Sequence, residues 1–521
     1  MFPTTEIGQK VTREDFDRVA DKLRLQLLSL QNELRSADFP VLLMFAGPAI
    51  AGKTEALNMI NEWLDPRWTV TRAYGPPSDE ERERPEYWRY WRDLPPKGQI
   101  GLFLGSWYHQ PVQDFVYKKS DLATFKSALA RIAAFERMLA DDGALILKVW
   151  LHLDQRTQRK RMKEIEKDRS QSWRIGKQDW EHFKHNKEFE GANEIAIQRT
   201  DTSQARWIVL DASNERYRAL SILTTIRDAL ASQLKTRRAR AKEIARAART
   251  IKATKASPVA GKEGRVFSTK GALTKDGETR TATVTNDGAL RPVSILDNLD
   301  MRLTLSDEQY KAALLERRAE LGELCRKLHF SGQSALVLFE GTDAAGKGGA
   351  IRRLTAAMDA RDYRVIPIAA PTDEERAQHY LWRFWRHLPR AGRMTLFDRT
   401  WYGRVLVERV EGFAQTSEWQ RSYSEINEFE EQLADRGVIL VKFWLHVTKE
   451  EQARRFKERE KIAYKAWKLT DEDWRNRAKW DDYLTAVHEM VERTSTQAAH
   501  WTLTVSGSPD SVIVSWLQSN W

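Results

Sequence analysis

Residues 41 to 210 of this chain recur as residues 335 to 504, in register and displaced by 294 positions throughout. Lys53, in Gly47-Pro48-Ala49-Ile50-Ala51-Gly52-Lys53-Thr54, falls on Lys347, in Gly341-Thr342-Asp343-Ala344-Ala345-Gly346-Lys347-Gly348. Trp88-Arg89-Tyr90-Trp91-Arg92 falls on Trp382-Arg383-Phe384-Trp385-Arg386, Trp107-Tyr108 on Trp401-Tyr402, and Trp207 on Trp501. No insertion separates these landmarks. A chain of this kind folds as two copies of one domain. What both copies keep is scaffold, and charged residues that only one copy keeps mark the chemistry.

At 521 residues the chain accommodates two such copies, each of a size suited to one α/β domain. The single cysteine, Cys325, excludes a disulfide framework or a cysteine-rich zinc site, and its leucine neighbours point to packing. No apolar run reaches the roughly 18 residues of a membrane span, so a cytoplasmic protein with no membrane partner is expected. A net charge of +11 implies a polyanionic partner or a basic surface, and charge alone does not choose between nucleic acid and an inorganic polyanion.

Each copy opens with a helical pattern, Leu23 to Leu34 and Leu314 to Leu328, followed by an apolar run ending at a glycine loop. Val41 to Phe45 and Ala335 to Phe339 read as buried parallel strands. Val365 to Ala369, Met394 to Phe397, Val438 to Leu445 and Trp501 to Val505 are further strands in the second copy, with helices between them. The expected fold class is α/β: two tandem P-loop kinase-like domains, each a parallel sheet flanked by helices with a helical lid, and a site at the carboxyl edge. The expected domains are 1–232, a degenerate copy; 233–295, a basic helical segment (Gln233 to Lys255) and a flexible linker (Ala256 to Asn286); and 296–521, the catalytic copy.

Both loops have the form that cradles phosphate: glycines free the backbone N–H groups, a helix begins at the loop, and a lysine adds charge. The first copy matches the generic motif better, because Thr54 could serve a magnesium ion. The surrounding residues point to the second copy instead. There Gly341, Ala345, Gly346, Lys347 and Gly348 form the phosphate-binding loop, and a strand delivers Asp398 beside it, followed by Arg399 and Arg404. Asp343 and Asp398 are the candidate Mg²⁺ ligands, and the two arginines suit developing negative charge. In the first copy Asp343 is replaced by Ala49, Asp398 by Leu104, Arg399 by Gly105, Arg404 by Gln110 and Arg409 by Phe115. A basic lid, with Arg455, Arg459, Lys465 and Lys468, follows the fourth strand of the second copy, and Ile165 and Gln171 stand where Arg459 and Lys465 would be. Arg383 and Arg386 recur as Arg89 and Arg92, and read either as part of the polyanion path or as partners of local carboxylates.

The segments Gly341 to Gly349, Trp382 to Arg386, Asp398 to Arg404 and Lys465 to Lys468 together resemble the type-2 polyphosphate kinase family. The resemblance spans about residues 300 to 510, and more weakly 10 to 215. The fused arrangement with a degenerate first copy is similar to polyphosphate:AMP phosphotransferases. The resemblance implies Mg²⁺-dependent transfer from inorganic polyphosphate to AMP, giving ADP, without nucleic acid; self-association into a homo-oligomer is compatible with it. Phosphorylation of ADP or GDP to the triphosphate, an ATP-dependent nucleoside monophosphate kinase, and a polyanion-binding protein with vestigial loops are the alternatives.

Overall fold

A computed structural model describes residue 2 and residues 8–169, 172–256, 282–284, 290–292, 294–303, 305–461 and 471–505. Contacts divide the chain into two compact units: Met1–Ala73 with Pro95–Val293, and Tyr74–Leu94 with Ser294–Trp521. No described helix is long and apolar enough to cross a membrane.

The first unit runs α1 (Arg13–Leu34), β1 (Val41–Ala46), α2 (Lys53–Trp63), β2 (Thr69–Ala73), β3 (Ile100–Leu104), α3 (Leu122–Asp141), β4 (Leu145–His152), β5 (Trp207–Asp211) and α4 (Glu215–Ala256). Its strands are all parallel, in the order β2-β3-β1-β4-β5. β1 is buried on both faces, as the central strand of a helix-covered sheet must be, which is why it reads as a continuous apolar run. The helix α1 starts at Thr12, whose side chain accepts from the Asp15 N–H, and buries Leu23, Leu27 and Leu34 against the sheet core. The expected basic segment from Gln233 is the later part of α4, which begins 18 residues earlier at Glu215; its apolar residues Ile222, Leu223, Ile226, Leu230 and Leu234 pack into the same core. Most of the expected linker lies outside the described residues.

The second unit runs α5 (Asp307–Ser331), β6 (Ser334–Gly341), α6 (Lys347–Thr355), β7 (Tyr363–Pro367), β8 (Met394–Asp398), α7 (Thr416–Ala434), β9 (Val438–His446), α8 (Lys449–Lys461), α9 (Asp471–Ala478), α10 (Trp480–Thr494) and β10 (Trp501–Val505). Its strand order, β7-β8-β6-β9-β10, is again fully parallel. α5 starts with a capping box between Ser306 and Gln309 and stops at left-handed Gly332. Cys325 is buried in the core of this unit, and burial pushes its thiol up to about 11, which suits packing and not reactivity.

Each unit holds the same buried polar network. In the second, the Lys442 ammonium donates to Glu430 at 2.7 Å, the Tyr402 hydroxyl at 2.9 Å and the Thr494 carbonyl at 2.7 Å, while Trp401 and Tyr402 also donate to Glu430. In the first, Lys148 donates to Glu136 at 2.7 Å, Tyr108 at 3.1 Å and the Thr200 carbonyl at 2.7 Å. A charge buried this deeply is tolerable only when fully partnered, and here every proton of the ammonium has an acceptor.

Within the second unit, the segment Tyr74–Leu94 packs on its own repeat counterpart. Trp91 stacks on Trp385, with ring centroids 5.6 Å apart and planes 16° apart, and these two residues are 294 positions apart. Arg84 donates to the Leu388 carbonyl, and Gln378, the counterpart of Arg84, donates at 3.2 Å to the carbonyl of Leu94, the counterpart of Leu388. Such reciprocity is the mark of an isologous contact.

Candidate active site

The site forms where β6 and β8 end. Asp398 is in register with Phe339 on β6, while β9 passes beside Gly341, with Leu445 opposite it. A Cβ on Gly341 would lie 2.6 Å from the Leu445 carbonyl oxygen, so the chain crossing itself requires glycine there. Gly47 meets Leu151 in the same way, at 2.4 Å. The leading glycine of each loop is therefore demanded by the fold, and its retention in the first copy is no sign of chemistry.

Lys347 opens α6, and its ammonium donates to the loop carbonyls of Gly341, at 2.7 Å, and Thr342, at 3.2 Å. Burial lowers its pKa, and the nearby Arg399 lowers it further. Such a cation is poised to exchange carbonyl dipoles for an anion. The Asp343 carboxylate accepts from Arg399 at 3.0 Å and from Asn476 on α9 at 2.8 Å. Gln452 on α8 donates to the Asp343 carbonyl at 3.0 Å, and Arg455, one turn on, donates to the Ala344 carbonyl at 2.9 Å. The expected lid helix is thus tied to the loop backbone. Arg459 lies on the same helix, and Lys465 and Lys468 fall outside the described residues.

Arg399 has φ +65°, a left-handed conformation that costs a non-glycine residue about 1 kcal/mol. Its counterpart in the first copy is Gly105, at φ +69°, where the same turn costs nothing. The second copy therefore holds an arginine in a turn that glycine would fill more easily. Ala344 in the loop is also left-handed, at φ +60°, whereas its counterpart Ile50 is not among the positive-φ residues. A β-branched side chain disfavours that region, so the first loop has a different backbone path after Ala49.

Arg404 ends the short 3-10 helix Trp401–Arg404, lies over the Tyr380 ring at 4.6 Å and donates to Glu408 at 2.7 Å. Its replacement Gln110 keeps the equivalent bond, to Asp114 at 2.9 Å. Arg409 is bound to Glu489 and Tyr423 and lies over Trp419, and the first copy replaces that arrangement with Phe115 stacked on Phe125. The loss of Arg409 is thus an exchange of polar for apolar packing. Arg383 pairs with Glu375 at 3.2 Å and Arg386 with Glu374 at 3.2 Å, and in the first copy Glu81 lies 3.6 Å from Arg89 and 3.3 Å from Arg92. Arg383 and Arg386 thus pair with local carboxylates, and Arg386 also lies over the Trp382 ring at 4.6 Å.

Four residues at the site were not singled out from the sequence: Glu340, Gln452, Asn476 and Tyr483. They line, with Asp343, Arg399, Trp480 and the loop, a cavity of about 70 Å³. Displacement by 294 turns Glu340 into Ala46, Asn476 into His182 and Tyr483 into Phe189, a signal available in the repeat; Gln452 recurs as Gln158 and gave none. The corresponding cavity of the first unit, lined in part by Lys53, Gly105, Asn186 and Phe189, is larger, at about 280 Å³. The first cavity has Ala46, Ala49 and Gly105 where the smaller one has Glu340, Asp343 and Arg399, so smaller and uncharged side chains accompany the larger space. Among the described residues no group of three His, Cys, Asp or Glu side chains is arranged to hold a metal ion. The candidate donors at the loop are Asp343, whose oxygens accept from Arg399 and Asn476, and Asp398, and hard oxygen ligands of this kind suit a small divalent cation that takes its other ligands from phosphate and water.

The model of the polyphosphate kinase 2 (PPK2) family matches residues 10–238 and 304–512. The chain belongs to that family. A polyphosphate:AMP phosphotransferase from Pseudomonas aeruginosa PAO1 is 44% identical over 504 residues, covering 96% of this chain and 94% of its own length. One from Pseudomonas syringae pv. tomato is 41% identical over the same length. A crystal structure assigned to polyphosphate kinase 2 from P. aeruginosa PA01 superposes with a TM-score of 0.82 at 40% identity, covering 100% of this chain and 97% of that one. Both copies of the domain are therefore features that this chain shares with its PPK2 relatives.

Proposed function

We propose that this chain transfers the terminal phosphoryl group of inorganic polyphosphate to AMP, and that the second unit performs the transfer. The observation that carries this reading is the full-length match to polyphosphate:AMP phosphotransferases, which aligns the degenerate copy as well as the intact one. An oxygen of the AMP phosphate attacks the terminal phosphorus, the anhydride P–O bond breaks, and polyphosphate leaves one unit shorter with the bonding electrons on its new terminal oxygen.

Lys347 leaves the carbonyls of Gly341 and Thr342 to take phosphate oxygens, with the N–H groups at the start of α6 directed at the same place. Arg399, already within 3.0 Å of Asp343, neutralises charge that builds on the transferred group, and Arg404 stands a few residues behind it. Asp343 and Asp398 would hold Mg²⁺, which when bound supplies charge neutralisation across the phosphates. Arg455 and Arg459 on α8, with Lys465 and Lys468 beyond it, provide the basic path for the donor chain. Nothing in this scheme requires a covalent enzyme intermediate.

The test is to incubate AMP, ADP or GDP with Mg²⁺ and either polyphosphate or ATP, and to separate the products. ADP formed from AMP with polyphosphate as the preferred donor is the expected result; turnover with ATP alone would overturn the reading.

A further inference from the structure

Glu340 is the penultimate residue of β6, immediately before Gly341 of the glycine loop, 4% exposed, and no role for it follows from the loop, the metal ligands or the lid. One oxygen of its carboxylate accepts both the Thr400 N–H, at 2.7 Å, and the Thr400 hydroxyl, at 2.8 Å. The hydroxyl in turn accepts the Tyr402 N–H at 3.2 Å and so caps the short helix that carries Arg404. On the other side of Thr400 is Arg399, in its left-handed conformation, with its own N–H given to the Phe339 carbonyl at 3.1 Å. The backbone around Arg399 is therefore held at its own N–H by the Phe339 carbonyl and at the Thr400 N–H by the Glu340 carboxylate, which also fixes the Thr400 hydroxyl that caps the helix.

We propose that Glu340 is the positioning residue of this site: by clamping Thr400 it holds Arg399 in the left-handed turn that aims its guanidinium at the glycine loop. The repeat supplies the control. The first copy makes the same left-handed turn with Ala46, Gly105 and Ser106 in place of Glu340, Arg399 and Thr400. A clamp is thus unnecessary when glycine occupies the turn, and it is present where arginine does. Burying a carboxylate at the end of an apolar strand is unfavourable, so its coincidence with the arginine is not a packing accident. Burial raises the Glu340 pKa, and the Thr400 hydrogen bonds and Lys347 oppose that rise. The clamp needs only acceptor oxygens, so glutamine should serve in its place.

The effect on turnover rests on the reading of Arg399 under Proposed function, whereas the clamp itself can be read without activity. Hydrogen exchange of peptides spanning residues 399–404 in the full-length protein should accelerate in Glu340→Ala and stay as in the wild type in Glu340→Gln. In kinetics with polyphosphate and AMP, Glu340→Ala should lower kcat by about 10- to 100-fold with little change in KM, because misplacing a charge-stabilising group acts on the transition state. Glu340→Gln should stay within about threefold of the wild type. In an Arg399→Gly background, adding Glu340→Ala should cost less than about twofold more, since one residue acts through the other. The proposal is overturned by unchanged exchange in Glu340→Ala, by a Gln variant as impaired as the Ala variant, or by Ala and Gly effects that multiply. If the wild type itself shows no phosphoryl transfer, the functional reading fails and the exchange data alone decide the clamp.

Discussion

Around the buried lysine the two copies make the same bonds: Lys148 and Lys442 each lie 2.7 Å from their glutamate, and Trp207 and Trp501 each donate to a threonine hydroxyl at 2.9 Å. At the glycine loop they share the framing glycines and a lysine that donates to the loop carbonyls, and little else. Glu340, Asp343, Asp398 and Arg399 face Ala46, Ala49, Leu104 and Gly105. The sheet, the buried network and the strand crossing at Gly47 and Gly341 hold whether or not any phosphate chemistry is present. The charged residues at the loop differ between the copies, while the network beneath them is the same.

The strongest way to break that comparison is to remove the first copy. Residues 290–521 expressed alone would lack Tyr74–Leu94, which belongs to the second compact unit, and would uncover Trp385, only 2% exposed when Trp91 stacks on it. The expected outcome on size-exclusion chromatography is aggregation, or a soluble fragment with a lowered melting temperature. A monomeric fragment melting like the intact protein would show that the first copy contributes nothing to the second.

A smaller and symmetrical effect is expected at the buried pairs. Lys148→Met and Lys442→Met each leave a buried glutamate unpaired, which should cost about 3–5 kcal/mol in each case. Denaturant unfolding of the two variants checks this. If only the second-unit variant is destabilised, the network does not support the fold of the first unit.

The end of the fourth strand gives a pH-dependent contrast. Burial pushes His446 down to about 4, against a value near 6.5 in the unfolded chain, so the folded state favours its neutral form. Its contribution to stability is present above about pH 6.5 and is lost as pH falls toward 4, to a total of at most about 3 kcal/mol. Its counterpart His152 instead has Phe2 stacked on it, with ring centroids 5.1 Å apart. His446→Gln should flatten the fall in melting temperature between pH 6.5 and 4; an unchanged slope would assign the acid sensitivity to other groups.

Much of this was legible in the sequence, because a repeat in register turns each lost residue into a comparison. Parallel strands buried on both faces read as apolar runs, and glycine loops followed by helices placed the carboxyl edge, so Lys347, Asp343, Asp398 and Arg399 could be singled out. Pairing preferences were harder to read. Arg383 and Arg386 read in sequence either as anion ligands or as partners of local carboxylates, and in the structure Glu375 and Glu374, eight and twelve residues upstream, come back beside them through a turn. The replacement of Glu340 by Ala46 was visible in the repeat, but its role was not, because that depends on its partner across the sheet, Thr400. The placement of Tyr74–Leu94 in the second unit depends on long-range packing that no local periodicity encodes.

The central claim is that one scaffold serves both copies while only the second performs the chemistry, and the most direct test is a parallel measurement of kcat/KM for Asp398→Asn and Lys53→Ala with polyphosphate and AMP. Asp398→Asn should fall by more than about 100-fold, since it removes a carboxylate from the charge balance at the loop. Lys53→Ala should stay within about threefold of the wild type, because its ammonium is bound to the Gly47 and Pro48 carbonyls and Ala49, Leu104 and Gly105 stand where the second copy has Asp343, Asp398 and Arg399. A Lys53→Ala loss as deep as that of Asp398→Asn would contradict the assignment and place catalysis in, or across, the first copy.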